Sequence, residues 1–159
     1  MTVLAAVLAA VRPHSWDLAV FVHVAGAMIL VGGLVTAAGA GIFGWRDEGG
    51  ALRRFSALTL FAVALPGWII MRLGAEWTYS KEGWDQVPSK LQPTWLGIGF
   101  TTADIGGIVL LVALVLGGIG VRRARSGGGA GLLRASTAIA ALLIAVYVVA
   151  VWAMGGKPS

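Results

Sequence analysis

The longest uncharged apolar segment of the chain constrains its fold most. No charged side chain lies between Asp17 and Arg46, and about 20 apolar residues suffice to cross the hydrocarbon core of a bilayer. Three further segments are similarly apolar. We therefore predict an all-α integral membrane protein, a single domain over residues 1–159, with four spanning helices at about 16–44, 52–75, 95–121 and 132–154.

The overall composition supports a membrane protein and narrows its chemistry. The chain is 58% hydrophobic and 12% charged, whereas a soluble domain carries about 25% charged residues. The net charge of +5 would suggest nucleic acid as a partner of a soluble chain, but here the arginines fall between the spans, so the predicted partner is the lipid bilayer. Cysteine is absent, which excludes disulfides, thiolate metal ligands and cysteine-held iron–sulfur clusters.

The distribution of arginine predicts how the bundle is oriented. Seven of the nine arginines flank the first–second and third–fourth connections, and an excess of arginine marks cytoplasmic loops. Both termini and the polar segment 76–93 are then predicted on the outer, periplasmic or extracellular side. Four tryptophans fall at the predicted outer ends, where indole rings favour the headgroup region: Trp16, Trp77, Trp95 and Trp152.

Two segments outside the spans have an amphipathic character. Residues Met1–Val11 are too short to cross a bilayer and place leucine and valine at helical spacing, so we predict a short interfacial helix there. The polar segment Glu76–Pro93 contains Trp77, Tyr79 and Trp84. We predict that it forms a loop on the bilayer surface or over the bundle.

Small residues and one proline predict the packing of the first two spans. Small residues four apart let membrane helices approach closely. We predict that two such rows in the first span pack against other helices: Gly33, Ala37 and Gly41 form one, and Gly32, Thr36, Ala40 and Gly44 form the other. In the second span, Pro66 removes a backbone hydrogen bond and is predicted to kink the helix.

Four polar residues inside the spans lie at similar depth. At about 1.5 Å per residue, His23, Arg72, Asp104 and Tyr147 fall about 7 to 13 Å below the outer tryptophans. The inner halves contain no comparable group. Since polar groups in a bilayer favour the bundle interior, we predict one polar cluster between the helices in the outer half.

His23 has three interpretations. Gly26 and Ala27 follow it at i+3 and i+4, which leaves a bare helix face where a planar macrocycle could lie. The small residues could equally seat a neighbouring helix, and His23 could instead relay protons. As a ligand, it could be oriented by Asp104 accepting its second ring proton. Arg72 is the alternative partner of Asp104, as a buried ion pair.

Two sets of candidate residues result. Methionine sulfur is a soft ligand for copper or a second axial ligand for haem, although methionine in apolar helices also serves packing. Met28, Met71 and Met154 are available in the spans. The predicted cofactor-binding residues are His23, Gly26, Arg72, Asp104 and Tyr147, and the predicted metal ligands are His23, Met28 and Met71.

The segment from Phe21 to Leu34, FVHVAGAMILVGGL, resembles the first helix of the CopD-like copper-resistance proteins and related small four-helix membrane proteins of bacteria. In these, a histidine followed by small residues precedes a glycine pair; this chain has Leu30-Val31 where members commonly place a tryptophan. The resemblance implies a multi-pass protein of the bacterial cytoplasmic membrane, with a periplasm-facing metal or haem role for His23.

The sequence leaves three functional hypotheses. The first is a protein that binds haem b or copper through His23, for electron transfer or metal handling. The second is a small proton-coupled carrier in which His23 and Asp104 titrate. The third is a packing subunit without a cofactor, in a homo-oligomer or a larger membrane complex. No spacing typical of a hydrolase is present, so a stand-alone enzyme is not predicted.

The predicted orientation can be tested by labelling. Single cysteines introduced as Ser80→Cys and Ser126→Cys should react oppositely with a membrane-impermeant thiol reagent on intact cells, with only the first being labelled, because the arginine-rich connection faces the cytoplasm. Equal labelling of both positions, or labelling of position 126 alone, would contradict the orientation.

Overall fold

The computed structural model describes residues 17–46 and 50–156, and within these ranges the chain is helical with no strand. The described part contains four helices long and apolar enough to cross a membrane. They are α1 (Asp17–Phe43), α2 (Ala51–Lys81), α3 (Thr94–Ala124) and α4 (Ala130–Gly156). The predicted all-α, four-helix architecture is therefore confirmed.

The ends of the helices differ from the predicted spans mainly in α2. This helix continues to Lys81, so residues 76–81 extend the helix and the prediction that they belong to a loop was wrong. The shorter connection contains 3₁₀ turns at Trp84–Gln86 and Ser89–Leu91. The predicted helix at Met1–Val11 lies outside the described residues.

The side-chain amide of Gln92 holds the connection between α2 and α3 in place through hydrogen bonds. Nε2 of Gln92 lies 2.7 Å from the hydroxyl of Tyr79 and 2.9 Å from the carbonyl oxygen of Val87. Trp84 packs edge-on against Trp95. We call the half of the bundle that holds this connection the loop half, and the opposite end, with the arginine-rich connections, the arginine end.

Pro66 does not break α2. The helix changes to a π-helical turn at Leu60–Ala64, in which the amide of Leu65 bonds to the carbonyl of Leu60, five residues earlier. An α-helix then resumes at Leu65 with the proline in its first turn, where a missing amide hydrogen costs least. A π turn therefore lies just before the proline, and the predicted kink stays a prediction.

Helices α1 and α2 approach each other through glycines on both sides of their contact. A Cβ atom on Gly26 would overlap the amide nitrogen of Met71, and one on Gly74 would lie 2.5 Å from the amide nitrogen of His23. A Cβ on Gly67 would likewise lie too close to the backbone of Leu30, and one on Gly33 too close to the backbone of Ala64. Since positions seven apart share one helix face, glycines 26 and 33 of α1 interleave with 67 and 74 of α2 in an antiparallel contact.

Hydroxyl groups join the helices nearer the arginine end. Ser56 of α2 donates to the carbonyl of Ala37 in α1 at 2.7 Å, and Ser136 of α4 donates to the carbonyl of Ala113 in α3 at 2.8 Å. Both serines are buried. Interhelical hydrogen bonds of this kind contribute about 0.6 to 2 kcal/mol in a membrane.

The two predicted glycine rows have different outcomes. Gly33, Ala37 and Gly41 are all buried, and a Cβ on Gly41 would overlap Oγ1 of Thr137 in α4, so packing by this row is confirmed. In the second row, Gly32 has no atom within 4 Å of a would-be Cβ and Thr36 is exposed. That prediction was wrong for these two positions, whereas Gly44 of the same row is buried against the start of α2, where a Cβ would meet Leu52 and Arg53.

This difference provides a matched test of the bundle contact. Gly33→Leu and Gly41→Leu should each destabilise the purified protein, since the added side chain meets backbone or Thr137; overpacking costs about 1 to 3 kcal/mol or more. Gly32→Leu, on the adjoining open face, should unfold like the wild type. Unfolding in detergent, followed by circular dichroism, measures all three. Equal stability of the three variants would contradict the described contact.

Candidate functional site

A large cavity lies in the loop half of the bundle and takes its lining from all four helices. Its volume is about 770 Å³, within the range of about 300 to 1,000 Å³ that small-molecule sites occupy. The lining is mainly aliphatic, aromatic and sulfur-containing, and small residues on every helix leave the space open: Ala27, Ala75, Gly99, Ala103 and Ala150.

The cavity arises because the helices pair unequally along their length. In the loop half, α2 packs on α1, and α3 packs on α4, while the segment Leu65–Lys81 of α2 makes little contact with α3. Trp68 bridges this gap, since its indole nitrogen donates to the carbonyl of Ala103 at 3.0 Å and its ring fills the space beside Gly107. Beyond Trp68 the two pairs meet through long side chains, since Arg72 of α2 pairs with Asp104 of α3.

Exposed lining residues show where the cavity reaches the surface. Val24 and Met28 of α1 and Val151 of α4 line it and are 47%, 72% and 61% exposed. These side chains belong to the apolar flank of the bundle. The cavity therefore reaches the surface at exposed residues of α1 and α4.

His23 lines this cavity and is held by the backbone of α2. Its Nδ1 lies 2.9 Å from the carbonyl oxygen of Met71. Because a carbonyl oxygen can only accept, Nδ1 carries the hydrogen, and in the neutral ring Nε2 then bears a free lone pair. This arrangement is typical of metal-binding histidines, whose second ring nitrogen donates to a carbonyl or carboxylate that fixes the tautomer.

The predicted metal ligands all line the same cavity. His23, Met28 and Met71 belong to the lining, and Met154 joins them from α4. Met71 is 5% exposed, and the methyl end of Met154 lies against Gly99. Three of the four methionines in the chain thus share a cavity with a histidine.

Arg72 and Asp104 form an ion pair apart from His23. Nε of Arg72 donates to Oδ1 of Asp104 at 3.0 Å, and its Nη1 bonds to Glu76. The guanidinium packs over the ring of Phe100, 4.9 Å from its centroid, a cation–π contact. Phe100 lines the cavity whereas Arg72 and Asp104 do not.

This pairing corrects two predictions. The four polar residues do not form one cluster, since His23 and Tyr147 line the cavity while Arg72 and Asp104 pair elsewhere. Asp104 does not orient His23; the carbonyl of Met71 has that role. The side chain of Asp104 is 57% exposed, so its ion pair lies at the surface of the bundle rather than in its interior.

Gly26 does not offer a bare surface beside His23. The backbone of Met71 occupies that face, so the glycine seats α2, which was the alternative interpretation of the small residues. Ala27 is the small neighbour that lines the cavity.

Tyr147 is a buried polar residue of the cavity wall. It is 4% exposed, and among the described residues its hydroxyl has no hydrogen-bond partner. The hydroxyl lies against Gly106, where a Cβ would come within 2.6 Å of it. The structure thus brings Tyr147 and His23 to one cavity, but it directs the hydroxyl toward α3.

Several residues of the site were not identified from the sequence. Gly67 and Gly74 bring the carbonyl of Met71 to His23, and their seven-residue spacing, matching that of Gly26 and Gly33, is a signal that could have found them. Phe100 lines the cavity and lies against Arg72 of the ion pair, and Trp68 links α2 to Ala103 of α3. A lone aromatic in an apolar span carries no sequence signal of this kind.

The donor set limits what could be held here. Among the described residues, no three His, Cys, Asp or Glu side chains come together as a metal site. A metal would rely on Nε2 of His23 with thioether sulfurs, or on a macrocycle ligated axially by His23. The cavity volume suits a macrocycle, while its described lining contains no Lys or Arg to pair with haem propionates.

Comparisons of the chain with protein-family models, with curated proteins and with solved structures found no match. The resemblance of residues 21–34 to the CopD-like proteins therefore stays a prediction, and function is inferred from the geometry of the cavity.

Proposed function

We propose that this chain is a multi-pass protein of the bacterial cytoplasmic membrane that binds haem b through Nε2 of His23, for electron transfer. The observation that carries the proposal is the hydrogen bond from Nδ1 of His23 to the carbonyl of Met71. This bond leaves the Nε2 lone pair as the Lewis base of the ring. His23 is also a lining residue of the large apolar cavity.

Two further features support haem as the group bound. A cavity of about 770 Å³ is far larger than a bare metal ion needs, and its apolar walls suit the faces of a porphyrin. Met28, Met71 and Met154 offer thioether sulfur as a second axial ligand, and a histidine–methionine pair raises the reduction potential of haem iron. When bound, the haem would supply one-electron chemistry, and the chain would supply ligation, burial and exclusion of water.

Copper handling is the second candidate, favoured by the donor set. Imidazole and thioether ligands select Cu(I), and three methionines share the cavity with His23. The sequence-based reason for preferring haem, a bare face at Gly26, does not hold, because Met71 covers that face. The preference for haem over copper now rests on the volume of the cavity.

The carrier hypothesis loses its main support. Its two titrating residues do not share a site, because His23 lines the cavity while Asp104 is paired with Arg72 outside the lining. The orientation proposed from the arginines places the cavity in the outer half of the membrane. A homo-oligomer or a larger complex stays a prediction.

The proposal is tested with protein purified from cells supplied with haem and, separately, with copper. Wild-type protein should show haem absorption bands, and His23→Ala and His23→Gln should lose the haem by at least about tenfold or change its spin state, because the axial ligand is removed. His14→Ala, which changes the other histidine of the chain, should behave like the wild type. Asp104→Asn should also keep haem, since Met71 orients the imidazole.

Methionine variants separate the two candidates. If copper is bound, metal content should fall when Met28, Met71 or Met154 is replaced by leucine; if haem is bound, one of these replacements should alter the spectrum while the haem stays. A wild-type protein that folds normally but remains colourless and metal-free under both conditions would refute both candidates.

A further inference from the structure

A second, smaller cavity lies at the arginine end of the bundle. It has a volume of about 150 Å³ and lies between the start of α2 and the connection of α3 to α4. Arg53 and Arg54 line it from α2, and Ala124, Gly127 and Gly128 line it from the connection. We call this space the arginine cleft. It shares no lining residue with the cavity of His23, so a ligand bound here would be independent of the proposed haem.

The charge around the arginine cleft is strongly positive. The described aspartates and glutamates all lie in the loop half, and the two carboxylates near the cleft in sequence, Asp47 and Glu48, lie outside the described residues. Seven arginines flank the connections at this end. Arg54 is exposed, and its Nη2 donates a hydrogen bond of 3.4 Å to the carbonyl of Ala124 at the end of α3.

Apolar surface continues from the arginine cleft along the bundle. Leu58 and Phe61 follow Arg54 on α2 at i+4 and i+7, one and two helical turns away on the same face, and they are 58% and 45% exposed. Val115 and Ile119 are exposed on α3, and the ring of Phe61 lies against Gly118 of that helix. A positively charged cleft therefore adjoins an apolar track between two helices.

We propose that the arginine cleft binds the phosphate of an anionic phospholipid, with its acyl chains along the exposed faces of α2 and α3. A phosphate is recognised by guanidinium groups, and basic clusters at the ends of membrane helices attract anionic lipid headgroups. A free phosphate would use the same arginines. We assign the site to a lipid because acyl chains would contact the apolar track, whereas a soluble anion has no apolar part to bind there.

The test uses the purified full chain in a neutral detergent, titrated with phosphatidylglycerol, with phosphatidylcholine of the same acyl chains, and with inorganic phosphate. Native mass spectrometry measures bound lipid, and thermal unfolding measures protection. Phosphatidylglycerol should bind and stabilise the protein, and the other two should not. Arg54→Gln should weaken phosphatidylglycerol binding about fivefold, as expected for one arginine near a headgroup.

Two variants separate the arginine cleft from general positive charge. Gly128→Leu adds a bulky side chain at a lining residue of the cleft without changing charge. The glycine has no positive φ, and a Cβ there meets only the carbonyl of Arg123 at 3.8 Å, so the variant should fold and weaken phosphatidylglycerol binding. Lys90→Gln removes an exposed cation of the loop half and should have no effect.

Three outcomes would overturn the proposal. Equal binding of the two lipids would remove the charge preference. Protection by inorganic phosphate as strong as that by lipid would make the site one for a soluble anion. Phosphatidylglycerol binding that is unchanged in both Arg54→Gln and Gly128→Leu would place the lipid elsewhere.

Discussion

The close approach of α1 and α2 is the constraint on which the rest of the structure depends. Glycine on one helix faces backbone of the other, at Gly26 against Met71 and at Gly74 against His23. No side chain larger than hydrogen fits these positions without displacing a helix. In a bilayer, where lipid provides no hydrophobic drive for helix association, such van der Waals contact would supply much of the stability.

The same contact prepares the chemistry of His23. With the backbones this close, the carbonyl of Met71 comes within 2.9 Å of Nδ1, although it belongs to a helix whose own hydrogen bonds usually occupy its carbonyls. A carbonyl oxygen has a second lone pair, so α2 can hold the imidazole and keep its helical bond. The cavity forms on the other side of the histidine, where Trp68 holds α3 away from the second half of α2.

The four long helices could be predicted from the sequence, because apolar length is a one-dimensional property. The regular rise of a helix also predicted that residues of similar depth could meet, and His23 and Tyr147 do line one cavity. Rotation about each helix axis was not predictable. Gly32 and Gly33 are neighbours in sequence, yet only Gly33 meets another helix, and Asp104 lies at the right depth but turns toward Arg72 and the surface. The direction in which a side chain points around its helix axis depends on which helices pair. Four strongly apolar helices have no distinct polar face in the sequence from which that direction could be predicted.

The central claim is that the fold fixes the tautomer of His23 and leaves Nε2 free toward a ligand. It is tested most directly by ¹⁵N nuclear magnetic resonance of ligand-free protein labelled at histidine, in a His14→Gln background that leaves a single imidazole. The spectrum of the neutral imidazole should show a protonated Nδ1 and an Nε2 without hydrogen. A ring protonated at Nε2 instead, or an equal mixture of the two tautomers, would contradict the hydrogen bond to Met71 and with it the proposed ligand role.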